Sequence, residues 1–206
     1  MKRLTLSLTA LAVAAATLPA IAQMPTTPPG APIASRVTAG DYKADPYHTQ
    51  VSFTVNHMGF SLYRGIFGDV SGTLSLDPKA PNNAKVSIDI PMSGITTTSA
   101  KLNEHLQAPD FFDAAKYPTA HFESTRIEAS GSKAKISGNL TIKGVTKPVV
   151  LDASFVGAGV MMGKRTMGFD ATTTIRRSDF GVSYGIPLVP DAVPLTISVA
   201  FEKPAG

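Results

Sequence analysis

Alternation of apolar and polar side chains, repeated in eight separate stretches, constrains this chain more than any other feature. A period of two places successive side chains on opposite faces of a strand. Val51, Phe53 and Val55 alternate with Ser52, Thr54 and Asn56, and Val70, Gly72, Leu74 and Leu76 with Ser71, Thr73 and Ser75. Val86, Ile88 and Ile90 form a third set, Ala120, Phe122 and Ser124 a fourth, and Ile136, Gly138, Leu140 and Ile142 a fifth. Val149 to Phe155, Phe169 to Ile175 and Val193 to Phe201 complete the series. Asp77-Pro78, Pro81-Asn82-Asn83, Ser130-Gly131, Lys143-Gly144 and Met162-Gly163 are turn signals between them.

The pattern predicts an all-β fold of eight strands, antiparallel because the links are short. Closing such a sheet on itself buries the apolar face and removes both edges. At about eight strands the interior is filled by side chains or holds one small ligand. A two-sheet sandwich satisfies the same periodicity, so the pattern alone leaves both open.

One stretch departs from the alternation. Ser99 can cap a short helix over Ala100–Leu106, with Leu102 and Leu106 one turn apart and Pro109 as a stop. Asp110-Phe111-Phe112-Asp113 follows. A helix and a Phe pair inserted between strands three and four are placed to cover one end of a barrel, where Phe111 and Phe112 either plug the core or gate a ligand. Small residues on the apolar faces (Gly72, Gly138, Ala153, Ala171) mark either internal space or close packing.

The N-terminus reads as a secretory signal. Lys2 and Arg3 precede an uncharged apolar run from Leu4 to Leu18, Pro19 interrupts it, and Ala20-Ile21-Ala22 offers a cleavage site after Ala22. The run is shorter than the roughly 20 apolar residues of a spanning helix, so no transmembrane anchor is expected after cleavage. Residues 23–40 hold four prolines and two glycines and read as a linker, with the folded domain over 41–206. Location follows as periplasmic or secreted. Loss of Lys2 and Arg3 leaves 17 basic against 15 acidic residues, scattered singly, which gives no basic stripe for nucleic acid. The absence of cysteine excludes thiol nucleophiles, thiolate metal sites and covalently attached c-type haem.

Two catalytic patterns fail on context. Gly181-Val182-Ser183-Tyr184-Gly185 spells a nucleophile elbow, but Ile186-Pro187-Leu188-Val189-Pro190 after it is no helix and no histidine lies beyond His121. Asp179-Phe180-Gly181 lacks the companion motifs of a kinase. His48, His57, His105 and His121 show no metal-pair spacing. The expectation is therefore no catalytic residue, no metal and no cofactor.

Five segments together resemble the YceI-like, lipid/polyisoprenoid-binding family. They are Asp45-Pro46-Tyr47-His48-Thr49-Gln50-Val51-Ser52-Phe53; Val55-Asn56-His57-Met58-Gly59-Phe60-Ser61 with Gly65-x-Phe67; and His105-Leu106 with Asp110-Phe111-Phe112-Asp113 and Tyr117-Pro118. Gly138-x-Leu140-Thr141-Ile142-x-Gly144-Val145-Thr146-Lys147-Pro148-Val149 and Arg177-Ser178-Asp179-Phe180-Gly181 complete the set. The resemblance implies an extended lipocalin-like antiparallel barrel with a helical insertion and a pocket for a polyisoprenoid or similar long-chain amphiphile. Many relatives carry an Arg-Asp pair where this chain has Leu102-Asn103, so the lid is expected to differ.

On this reading the protein is a carrier of a long-chain isoprenoid or fatty amphiphile, with a homodimer left open. The alternatives are an enzyme acting on such a lipid or on a small apolar substrate, and an interaction module whose barrel is filled by its own side chains. From alternation, the expected lining is Phe53, Val55, Phe67, Phe122, Leu140, Phe169 and Ile175. Phe111 and Phe112 are the expected gate, and His57 and Arg177 the expected polar contacts at the mouth.

Overall fold

The computed structural model describes residues 26–205; the expected signal segment, 1–22, lies outside them. Among the described residues there are eleven strands: β1 (Gly40–Ala44), β2 (Gln50–His57), β3 (Ser61–Phe67), β4 (Ser71–Leu76), β5 (Lys85–Pro91), β6 (Ile95–Thr96), β7 (Thr119–Ser130), β8 (Lys133–Ile142), β9 (Val145–Met161), β10 (Lys164–Arg176) and β11 (Ala192–Pro204). One helix, α1 (Ala100–Gln107), lies between β6 and β7. All strand pairs are antiparallel, and the order β1-β4-β5-β7-β8-β9-β10-β11 returns to β1, which closes the sheet into a barrel.

The eleven strands make eight staves. β1 pairs with β4 and β2 pairs with β3, Tyr42 facing Leu74 and Val51 facing Phe67. β1 and β2 are therefore two halves of one stave, bent at Asp45–Thr49, and β3 and β4 two halves of the next, bent at Gly68–Val70. β5 continues through a 3-10 turn, Met92–Gly94, into β6, which pairs with β3. The alternation located a strand within each stave. It missed β1, β3 and β6, because a bent stave shifts the phase of its side chains at the bend. Eight staves form a lipocalin-like barrel with a short helical insertion after the third, as the resemblance implies; the alternation by itself left a two-sheet sandwich open.

The bends are hydrogen-bonded, which is what lets a stave break without exposing buried backbone. At the first, the Asp45 N–H donates to Ala200 O at 2.8 Å and the Ala200 N–H donates to Thr49 Oγ1 at 3.3 Å. At the second, the Gly68 N–H donates to Gly94 O at 3.0 Å.

Length comes from the C-terminal half. β9 has 17 residues and β10 and β11 have 13 each, so at about 3.3 Å per residue these staves exceed about 40 Å. Lys143-Gly144 joins β8 to β9 and Met162-Gly163 joins β9 to β10, each a two-residue turn with positive φ at both positions, matching strand twist. Register shifts at Ser124/Arg126 and Gly168/Phe169 bend the wall.

The core has two parts. Val51, Phe67, Val70, Met92, Ile95, Phe122, Leu140 and Phe180 belong to the one near α1. Tyr42, Leu74, Ala158, Met167 and Phe201 form the other. Tyr42 is 1% exposed, and its hydroxyl donates to Thr38 O at 2.7 Å.

The proline-rich stretch 23–40, expected as a linker, runs against the barrel over its described part. Ala31 and Ala158 exchange backbone hydrogen bonds at 3.2 and 2.9 Å. Gly157 and Gly159 leave room for this approach; a Cβ on Gly159 would lie 2.2 Å from Pro29 O.

The small inward residues divide into two kinds. Gly138 is close packing: a Cβ there would sit 2.4 Å from the Phe122 ring. Gly72, at φ +150, would put a Cβ 2.2 Å from Ser87 O and 2.9 Å from Ile88 Cα. Ala153 and Ala171, paired across β9 and β10, instead border empty space. Gly72→Ala is expected to destabilise the fold by about 2 kcal/mol or more, as a lower urea midpoint with an unchanged denaturant slope.

Candidate functional site

The barrel interior holds two adjacent chambers. The outer one, beneath α1, has a volume of about 760 Å³. The inner one, toward the opposite end, has about 410 Å³. Val51, Ile90, Leu140 and Leu195 border both and form the waist. Each volume falls in the range of small-molecule sites, about 300–1,000 Å³.

All eleven residues singled out from the sequence border this space. Phe53, Val55 and His57 of β2, Phe67 of β3 and Ile175 of β10 face the outer chamber, with Phe111, Phe112 and Arg177. Phe122 of β7 and Phe169 of β10 face the inner chamber, and Leu140 of β8 touches both. Alternation placed the seven strand residues because a closed sheet turns one face of every strand inward; Phe111, Phe112, His57 and Arg177 came from outside the alternation.

The lid is built from α1 and the segment after it. Ser99 caps the helix, its Oγ accepting from the Leu102 N–H at 3.3 Å. Asn103 ties the helix to the end of β6, its Oδ1 accepting from the N–H and Oγ1–H of Thr97 at 2.8 and 2.7 Å. Asn103 thus gives a neutral anchor to the lid. The two phenylalanines have different neighbours. Phe112 packs edge-on against Phe67 at 5.7 Å between ring centres, and Phe67 lies 5.9 Å from Phe53. Phe111 stands with His105 and Tyr184, the three centres 4.9 to 5.1 Å apart. His105 Nε2 lies 2.8 Å from an Asp110 carboxylate oxygen. That hydrogen bond chiefly holds the Asp110 carboxyl below its ordinary pKa.

Arg177 borders the outer chamber, but its chemistry differs from the head-group contact expected. It is 8% exposed. Its Nε donates to Pro190 O at 2.9 Å, Nη1 to Val182 O and Tyr184 O at 3.0 and 2.8 Å, and Nη2 to Val189 O at 2.8 Å. Four of the five N–H groups of a guanidinium thus hold carbonyls of the 182–190 loop. Burial lowers the Arg177 pKa, partly opposed by the Asp191 charge. Asp191 closes the same loop at its base, accepting from the Ser178 N–H and Oγ–H at 2.8 Å each and pairing with Arg176 at 3.0 Å. The R-S-D-F-G segment is therefore a loop clamp, and Phe180 and Val182 are buried with it.

The 182–190 loop is the part of the wall that sequence reasoning missed. Val182, Tyr184, Leu188 and Val189 line the outer chamber. No alternation marks them, since the loop is irregular. The signal available was a run from Val182 to Pro190 without a charge. Tyr63 was also missed; its hydroxyl lies 3.0 Å from Thr98 Oγ1.

Of the histidines, His57 ends β2, exposed at the chamber edge. His121 faces outward, 2.8 Å from Asp89 across β5 and β7, and His48 pairs with Asp45 at the first bend. Among the described residues no group of three His, Asp or Glu is placed to hold a metal ion.

The Asp191 carboxyl is held below its ordinary value near 3.8, first by the Ser178 N–H and then by the Ser178 hydroxyl. A depressed folded-state pKa adds stability above the ordinary value and loses it as pH falls through the folded one. Asp191→Asn is therefore expected to lower stability at neutral pH and to lose less on acidification. The two unfolding midpoints should converge as pH drops below the ordinary aspartate range.

Comparison with known proteins places this architecture among relatives. Residues 42–201 match the family model described as the YceI-like domain. The chain is 38% identical to Protein YceI of Escherichia coli O157:H7 over 169 residues, which span 81% of this chain and 88% of that protein. The crystal structure of Burkholderia cenocepacia BcnA is similar with a TM-score of 0.67 at 26% identity, covering 76% of this chain and 98% of that one. A polyisoprenoid binding domain from Saccharophagus degradans shares the fold at a TM-score of 0.63 and 15% identity, over 79% of this chain and 98% of that one.

Proposed function

The chain belongs to the YceI-like family, and from that membership and its two-chambered apolar interior we propose that it is an exported, non-enzymatic carrier of a polyisoprenoid or similar long-chain amphiphile. The observation that carries the reading is the pair of chambers meeting at an apolar waist. Four residues, Val51, Ile90, Leu140 and Leu195, border both chambers; a compact ligand would fill one chamber, and a flexible chain threaded past these four would fill both. An isoprenoid tail costs roughly 25 cal/mol per Å² of apolar surface left in water. A wall of Val, Ile, Leu, Phe and Ala side chains removes that cost without any polar contact to the tail.

The mouth suits a head group without a full charge. Arg177 spends its donors on the loop, and an ionised head group buried there would go unpaired at high cost. His57, Tyr63 and His105 supply hydrogen-bonding groups at the outer end, as a quinone-like or phenolic ring requires. In this reading Phe111 swings with Tyr184 and His105 as the gate, while Phe112 stays with the core. Export rests on Lys2, Arg3, the Leu4–Leu18 run and the Ala20–Ala22 site. Among the described residues no helix is long and apolar enough to cross a membrane.

Native mass spectrometry of the mature protein from its own host, followed by organic extraction, tests the proposal. A stoichiometric long-chain lipid is expected. An empty protein that also fails to take up isoprenoid lipids in vitro would redirect the reading to a filled-barrel module or to an enzyme that releases its substrate.

The inner chamber provides a second test. Replacing both Ala153 and Ala171 by Leu fills space that a long tail would occupy. Binding of a long polyprenyl chain is expected to weaken at least tenfold, about 1.4 kcal/mol, while a chain short enough for the outer chamber binds as before. Titration with chains of graded length reads the difference.

A further inference from the structure

The mouth of the barrel carries an exposed apolar rim in two pieces. The first is the turn between β2 and β3. Met58 and Gly59 both have positive φ, at 55° and 80°, and the Phe60 N–H donates to His57 O at 3.0 Å. Asn-Gly is the favoured pair for such a turn; here a methionine takes the first position, and Phe60 beside it is 87% exposed. Leu62 follows on the outer face. The second piece is the 182–190 loop, where Tyr184, Ile186 and Leu188 are exposed, Leu188 at 63%. The Met58 N–H donates to Leu188 O at 3.2 Å, so the two pieces form one edge.

Neither piece carries a formal charge: none occurs from Gln50 to Tyr63 or from Val182 to Pro190. Contiguous exposed apolar groups, unlike a single exposed one, mark an interaction surface. The rim is continuous with the cavity, since Met58, Tyr184 and Leu188 line the outer chamber and are open to solvent. The nearest cation along the chain from the hairpin tip is Arg64, exposed and facing Thr54, with no carboxylate partner among the described residues. It stands three residues beyond Ser61, about 10 Å along the strand. That spacing matches apolar side chains inserted some 5–10 Å into a bilayer with a cation left at the phosphates.

We propose that this rim docks on a lipid bilayer, so that the cavity opens into the membrane and a tail passes between them without crossing water. The inference rests on the carrier reading above and adds the partner surface to it. The rim supplies what a mobile carrier of an apolar chain needs, because full exposure of the tail would dominate the barrier to loading.

The chain contains no tryptophan, so a single introduced indole reports its own position. Phe60→Trp places it on the rim. Met162→Trp places it on the β9–β10 turn, also highly exposed but away from the mouth. With vesicles of phosphatidylethanolamine and phosphatidylglycerol, the Phe60→Trp emission is expected to shift blue and to be quenched by brominated acyl chains, and the Met162→Trp emission to stay unchanged. Phe60→Asp/Leu62→Asp, two residues outside the cavity lining, should weaken vesicle partitioning at least tenfold while uptake of polyprenyl lipid from detergent is preserved. Equal response of both probes, or no response from Phe60→Trp in protein that takes up lipid from detergent, overturns the docking inference alone. A blue shift that follows protein concentration without vesicles assigns the rim to a second copy and overturns it as well. Failure of uptake from detergent counts instead against the carrier reading.

Discussion

β11 has hydrogen-bonded partners on both edges, and the closed wall depends on that. On one side it pairs with β10 along all 13 residues. On the other it serves two partners, β2 from Leu195 to Ser198 and β1 at Phe201 and Glu202. Between them the chain bends away, and the Ala200 peptide is satisfied by the Asp45 N–H and Thr49 Oγ1. Without these bonds a buried donor and acceptor would be orphaned at the seam, at about 1–3 kcal/mol each. The seam turns an eight-stave sheet into an enclosure, and the enclosure keeps the interior apolar.

Enclosure alone leaves the ends open, and the two ends are closed differently. At the inner end Pro32, Ala34 and Val37 of the N-terminal stretch lie across the chamber beside the 129–134 hairpin. Its contact to β9 is made of backbone and small residues. At the outer end the cover is α1 with the Phe pair on one side and the 182–190 loop on the other. Arg177 holds that loop from within by four carbonyls. A buried guanidinium is costly unless fully hydrogen-bonded, so clamp and loop depend on each other. The lid opposite is held by ring contacts, by Leu106 and Phe112 packed on the core, by the Asn103–Thr97 hydrogen bonds and by Lys143 Nζ donating to Pro109 O at 2.8 Å.

Particular residues show how far the chain could be read before it was folded. Val51, Phe53 and Val55 announce a strand and its inward face without ambiguity, because period two is a local property. The same logic put Phe122, Leu140 and Phe169 on the lining. Ser99 and Pro109 bracket α1 within one or two residues, because caps and stops act within a turn. β3 was passed over: Ser61-Leu62-Tyr63-Arg64-Gly65-Ile66-Phe67 does not alternate cleanly, since Leu62 and Ile66 sit on an outer face that is itself apolar. Arg177 was legible as important and illegible as a clamp, since its partners are main-chain carbonyls that any sequence supplies.

The sequence by itself determined the all-β class, the number of staves, the inward face of most of them and the helical cover, because each follows from neighbours a few residues apart. Only the tertiary structure decided between barrel and sandwich, since closure requires β1 and β11 to meet across the whole chain. It also decided which small residues leave space: Gly138 is occupied by the Phe122 ring, whereas Ala153 and Ala171 open onto a chamber. A side chain's volume is a local fact. The volume left beside it depends on what the opposite wall sends in, and that is known only when the wall is closed.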